Sequence, residues 1–101
     1  MAEVQYELAF EREALDEWQK LDGSVKQALK TQLAKRLVQP HIPGDRLRTP
    51  LTNCYKIKLR KQGYRLIYRV DDTRIIVVVI AVGRRDKNAV YEAAIKRLAA
   101  R

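Results

Sequence analysis

An α+β domain with an antiparallel-rich, four-stranded sheet in the order β-α-α-β-β-β-α is what this sequence predicts, and three observations carry the prediction. A short alternating segment opens the chain at residues 4–10. Two amphipathic stretches with helical spacing occupy residues 11–39. Three β-rich runs, parted by turn-forming residues, then precede a last amphipathic stretch. Helices that follow one another, instead of alternating with strands, favour an N-terminal helical hairpin laid on a sheet. At 101 residues, the whole chain (1–101) has the size of one domain with one core.

Each element follows from a local pattern. Val4, Tyr6, Leu8 and Phe10 alternate with polar or small residues, as in a half-buried strand. Across residues 11–21, Ala14, Leu15, Trp18 and Leu21 recur at three- and four-residue spacing, with acids in the first turn where the helix dipole favours them. Asp22-Gly23 breaks that helix. Ser24, with Gln27 three residues on, makes a capping box for a second helix whose apolar side is Val25, Leu29, Leu33 and Leu37. Pro40 stops it near Gln39, because the residue before a proline disfavours helical geometry.

Pro40, Pro43, Gly44 and Pro50 make residues 40–53 an irregular connection that carries Arg46 and Arg48. Strands are expected over 54–60, 63–70 and 74–82, around turns at 61–63 and 71–73. The run at 75–80 lacks alternation, which fits a central strand covered on both faces. A C-terminal helix over about 88–98 sets Val90, Ala94, Ile95 and Leu98 inward. Trp18 and Cys54 read as packing residues, and His41 as a plain loop residue.

With 47% hydrophobic and 33% charged residues, the chain is a folding domain and not a disordered basic tail. Its 21 Lys and Arg against 12 Asp and Glu give a net charge of +9 and point to a polyanionic partner. Residues 1–24 hold seven acids and two bases, so the remainder carries nineteen bases against five acids. The functional surface is therefore expected in the later part of the chain, with the first helix facing elsewhere. No segment approaches the roughly 18 apolar residues that span a bilayer. The first residues carry acids where a secretion signal would be basic, so a cytoplasmic protein with no membrane partner is expected. One cysteine and one histidine offer no metal-ligand spacing; no metal and no cofactor are expected.

The candidate chemistry lies in the sheet. Period two puts Lys56, Lys58 and Arg60 on one face and Tyr55, Ile57 and Leu59 on the other. A turn with an even number of residues brings Lys58 beside Arg65, with Arg69 on the same face. Beyond the last strand comes Arg85, and the first turn of the C-terminal helix carries Tyr91. Whether Arg85 shares the face depends on the turn at 71–73, because one residue reverses the parity. Crowded cations lower a lysine's pKa, arginine forks match phosphate oxygens, and a tyrosine ring stacks on a base. RNA cleavage needs such groups to deprotonate the 2'-hydroxyl, stabilise the phosphoryl transition state and support the leaving 5'-oxygen. The same residue types also describe a solvated hairpin face, with Arg65 and Arg69 paired to Asp71 or Asp72 and Tyr91 docking its helix.

The runs CYKIKLRKQGYRLIYRV and VVVIAVGRRDKNAVYEAAIKR, together with FEREALDEWQKL and the RLR after the helical hairpin, resemble the RelE family of ribosome-dependent messenger RNA interferases. The resemblance spans nearly the whole chain and implies the same fold. It implies that Lys56 and Lys58 activate the 2'-hydroxyl, that Arg65 clamps the transition state, that Arg85 is the general acid or leaving-group stabiliser, the electrostatic role being the easier one for a group of arginine's very high pKa, and that Tyr91 stacks on the messenger base. Arg46, Arg48, Arg60 and Arg84 would bind RNA and ribosomal phosphate. The implied substrate is messenger RNA in the ribosomal A site, cut metal-independently to a 2',3'-cyclic phosphate and a 5'-hydroxyl, with the ribosome holding the in-line geometry. The implied regulator is a RelB-type antitoxin that wraps a toxin monomeric when free, forms a hetero-oligomer with it, and displaces or blocks the C-terminal helix. Two other readings are a ParE-like gyrase-poisoning toxin, which shares the scaffold without needing this residue set, and a nonenzymatic RNA- or ribosome-binding protein.

Overall fold

Apolar residues at helical spacing, followed by β-branched runs, build two helices and then a three-stranded meander. The computed structural model describes residues 5–86 and 88–100, so Val4 of the expected first strand lies outside the described residues. In chain order the elements are β1 (Glu7–Phe10), α1 (Arg12–Gln19), α2 (Gly23–Val38), a 3-10 turn (Pro43–Asp45), β2 (Cys54–Leu59), β3 (Tyr64–Asp71), β4 (Ile76–Arg84) and α3 (Ala89–Ala99). The sheet order is β1-β4-β3-β2, with β1 parallel to β4 and the other pairs antiparallel.

The sheet is covered on both faces. Against one face, α1 and α2 bury Ala14, Trp18, Val25, Leu29 and Leu33 on Tyr55, Ile57, Leu66, Tyr68, Val77, Val79 and Val82. Leu29 and Leu33 are almost fully buried, which contributes about 2 kcal/mol each. Against the other face, α3 packs Val90 and Ala94 on Cys54, Ile67, Ile80 and Ala81. The central, unalternating β4 is thus enclosed as its sequence anticipates. Cys54 is a packing residue, and burial pushes its thiol up to about 11. Among the described residues, no helix is long and apolar enough to cross a membrane.

Three expectations are corrected. The second helix begins one residue before Ser24, after Asp22 in extended backbone, and the Asp22 side chain makes no capping bond to the helix. The Ser24 hydroxyl instead donates to the Asp22 carboxylate, which removes it from the capping box expected with Gln27. Leu15 and Ile95 are exposed instead of inward. Each follows a fully buried alanine, Ala14 or Ala94, and one step of about 100° takes a side chain off the narrow stripe where the helix meets the sheet. The last strand runs two residues later than expected, because residues 72–75 all belong to the turn. Asp71 accepts from the Arg74 N–H at 3.1 Å, and Ile75 closes the turn at φ +58°.

Candidate active site

The cationic face is made by the β2–β3 hairpin. Its loop is residues 60–63, an even number closed by Gly63 at φ +71°, so Leu59 pairs with Tyr64 and Lys58 with Arg65. Paired residues of an antiparallel ladder project to the same side. Lys56 and Lys58 therefore stand with Arg65 on the face that α3 covers, while Tyr55, Ile57 and Leu59 enter the core on the other. Arg60 is the first residue of the turn and not the last of the strand. Arg69 lies on the same face, paired with Cys54, but on the far side of the buried Ile67.

The position of Arg85 is decided inside β4 and not at the preceding turn. Ile67 pairs with Ala81 but Tyr68 pairs with Val79, which leaves Ile80 as an extra residue in β4. This β-bulge puts the adjacent Ile80 and Ala81 both on the α3 face and gives Val79 and Val82 both to the opposite core. Alternation downstream is thereby reversed, and Gly83 comes opposite Arg65 on the cationic side. The Arg85 N–H then donates to the Gly63 carbonyl at 2.8 Å, which ties the end of β4 to the hairpin turn.

The last component arrives on α3. Val90 anchors the first helical turn over Gly83, and the neighbouring Tyr91 offers its ring to Arg65, whose guanidinium carbon lies 5.0 Å from the ring centroid. The Nε of Arg65 is buried without a hydrogen-bond partner. Among the described residues, no ion pair joins Lys56, Lys58, Arg65 or Arg85 to a carboxylate. Asp72 is engaged by Tyr6 and His41, and Asp71 by the Arg74 backbone. The Lys58 ammonium is held below the ordinary lysine range, first by the charge of Lys56, then by partial desolvation, then by Arg65, Arg85 and Arg60. A cluster of unneutralised cations beside a half-buried ring attracts a polyanion, favours a neutral lysine and can stabilise charge developing on phosphate.

The other candidates are dispersed. Arg46 bridges to Tyr55 at the start of β2 and, with Arg48, lines a cavity of about 500 Å³ completed by Leu47, Thr49 and Thr52, at the end of the strand away from Lys58. Arg84 lies over the Tyr64 ring at 5.6 Å, on the face opposite the lysines. His41 is more than a plain loop residue: Nδ1 is 2.8 Å from the Tyr55 hydroxyl and Nε2 is 2.9 Å from Asp72.

Sequence reasoning missed Arg36, which donates to the Tyr68 hydroxyl at 2.8 Å, to the Lys56 carbonyl at 3.3 Å and to Asp45 at 2.7 Å, so it supports β2 from behind. Nothing in local periodicity distinguishes it from any other arginine on a helix.

The model of the ParE toxin family of type II toxin-antitoxin systems matches residues 8–89. The mRNA interferase toxin RelE of Escherichia coli is 46% identical over 93 residues, which are 92% of this chain and 97% of that protein. The free Escherichia coli toxin RelE, as an arginine double mutant, superposes with a TM-score of 0.85 at 45% identity, covering 93% of this chain and 98% of that one. RelE in the intact Escherichia coli RelBE toxin-antitoxin complex superposes with a TM-score of 0.77 at 45% identity, covering 81% and 99%. With this identity over nearly its full length, the chain belongs to the RelE-type toxins of the RelE/ParE family.

Proposed function

We propose that this chain, acting as a single domain, is the toxin of a type II toxin-antitoxin pair and a ribosome-dependent endoribonuclease that cuts messenger RNA in the A site. The observation that carries the reading is the apposition of Lys58 and Arg65 on a face where no carboxylate among the described residues neutralises them, bordered by Arg85 and by Tyr91 on α3. Lys56 and Lys58 take the proton from the 2'-hydroxyl, whose oxygen attacks phosphorus. Arg65 faces the equatorial phosphate oxygens, and Arg85 stabilises negative charge on the departing 5'-oxygen without donating its own proton; that oxygen takes its proton from water. Tyr91 stacks on a messenger base, and the products are a 2',3'-cyclic phosphate and a 5'-hydroxyl. The site supplies charge and stacking but no strong base, so the ribosome contributes by holding the RNA in line. Arg46, Arg48, Arg60 and Arg84 meet RNA and ribosomal phosphate. The protein works in the cytoplasm, where ribosomes are, and a RelB-type antitoxin restrains it as a hetero-oligomer.

The match to a family model named for ParE favours one second reading, a gyrase poison. Primer extension on a defined messenger, with and without programmed ribosomes, separates the two. Ribosome-dependent cuts that vanish in Arg85→Ala and Tyr91→Ala are the expected result. No cuts from the folded wild-type chain, with gyrase inhibited instead, would sink the nuclease reading.

A further inference from the structure

Strand β1 ends at Phe10, opposite Val79, while β4 continues to Arg84. Past that point two side chains supply what a longer β1 would have supplied. The Ile80 carbonyl accepts from Arg97 Nη1 at 2.8 Å, and the Val82 N–H donates to Glu17 Oε1 at 3.2 Å. A residue in a neighbouring parallel strand bonds such a carbonyl and the N–H two residues later with its own backbone. Here the guanidinium acts as the donor and the carboxylate as the acceptor. The two also close on each other, at 2.8 Å for Nη1–Oε1 and 3.0 Å for Nη2–Oε2, while Arg97 Nε lies 3.2 Å from Glu13. The Arg97 side chain is only 12% exposed. This constellation joins α1, β4 and α3 across 80 residues of sequence.

Its effect reaches the site along α3. The rest of the α3 interface is apolar, through Val90, Ala94 and Leu98, and such packing is non-directional: it holds a helix down without fixing how far it slides or rolls. A bidentate pair that also binds two fixed backbone groups is directional. Tyr91 lies six residues before Arg97 on the same helix, about 9 Å along a rigid axis. We infer that Glu17 and Arg97 are positioning residues, which seat α3 in the open edge of β4 and so set where Tyr91 meets Arg65. The consequence for catalysis rests on the cleavage reading above; the positioning itself does not.

The test compares Arg97→Ala, Arg97→Lys and Glu17→Gln with wild type in single-turnover cleavage on programmed ribosomes, with folding followed by circular dichroism. The protein is labelled with 3-fluorotyrosine, and the Tyr91 fluorine resonance is assigned with Tyr91→Phe. The expected result is a drop in the saturating rate of about tenfold to a hundredfold in Arg97→Ala and Glu17→Gln. The half-saturating ribosome concentration should stay within about twofold, because no phosphate contact is removed. The Tyr91 resonance should move in both variants, with partial recovery of rate and shift in Arg97→Lys.

If Arg97→Ala is too unstable to assay, Glu17→Gln decides, since its amide oxygen can still accept from Val82. A saturating rate near wild type, rate and ribosome affinity falling together, or a Tyr91 resonance that does not move would each overturn the inference. If the wild-type protein cuts nothing, the nuclease reading fails and the fluorine spectra still decide the positioning.

Discussion

The guanidinium of Arg65 lies over the ring of Tyr91, 5.0 Å from its centroid, and this contact joins the cationic half of the site on the sheet to the aromatic half on α3. Neither residue has a carboxylate partner among the described residues, so the arginine is oriented by a ring that leaves its charge unneutralised. A planar cation held in this way is pre-aimed for phosphate at little entropic cost on binding.

Substitutions should therefore separate ring from charge. Tyr91→Phe keeps the ring and should keep most of the cleavage rate, whereas Tyr91→Ala should lose about 1 to 3 kcal/mol of transition-state stabilisation. Arg65→Lys retains the charge but not the fork, and it should fall nearly as far as Arg65→Ala, about 100- to 1,000-fold. Single-turnover rates on programmed ribosomes measure both; a fully active Arg65→Lys would show that charge alone suffices.

The depressed pKa of Lys58 makes a prediction about pH with a definite sign. Below that pKa the neutral fraction rises about tenfold per pH unit, so the cleavage rate should climb and level off before an ordinary lysine, at about 10.4, would allow. Lys56 is the largest cause of the shift, so Lys56→Gln should move the climbing limb to higher pH. Rate profiles of wild type and variant that coincide in shape would remove Lys58 as the titrating base.

The same shift makes Lys58 a burden on folding. Its folded pKa lies below its unfolded value, so near neutral pH, where both states are charged, the folded state holds the proton less favourably. The penalty fades as pH rises through the folded pKa and beyond. Lys58→Met should thus raise the Tm at neutral pH, with an advantage that shrinks in alkali. A thermal melt that shows Lys58→Met below wild type would contradict it.

Behind the site, Arg36 is 11% exposed and binds Tyr68, Asp45 and the Lys56 carbonyl. Arg36→Met leaves Asp45 and that carbonyl without their donor and should cost about 2 to 3 kcal/mol in urea unfolding. A loss below about 0.5 kcal/mol would class it with surface ion pairs.

Local pattern made much of this legible. The alternation of Lys56, Ile57, Lys58 and Leu59 separated a charged face from an apolar one, while the parity of the following loop stayed open in the sequence and is settled by the four residues 60–63, which put Lys58 opposite Arg65. Other features depend on geometry that no window of sequence contains. The extra residue at Ile80 looks like one more member of an unbroken apolar run, yet it decides the side on which Gly83 emerges. Glu17 and Arg97 meet across 80 residues, and each alone reads as a solvated charge on a helix. The capping box failed because Asp22 and Ser24 satisfy each other, a choice between two local bonds that the motif does not resolve.

The turn before β4 offers a test of strain. Ile75 has φ +58° and an exposed side chain, a conformation that a β-branched residue adopts only at a cost. Ile75→Asn, which tolerates that region and keeps the carbonyl that receives the Glu7 N–H, should gain about 1 kcal/mol. A lower urea midpoint for the variant would show that Ile75 makes contacts worth more than the strain.

The bulge at Ile80 also ranks the kinds of mutation this toxin can survive. Most single replacements within β4 alter volume and leave the ladder in step, and deleting one of the two residues between Val79 and Val82 would remove the bulge while Gly83 still pairs with Arg65 on the cationic side. The strand would still be apolar, and the sheet could still close. A one-codon deletion inside this strand is thus absorbed where the ladder already carries a spare residue, and for β4 the pairing with β3 is a stricter inheritance than the length of the run.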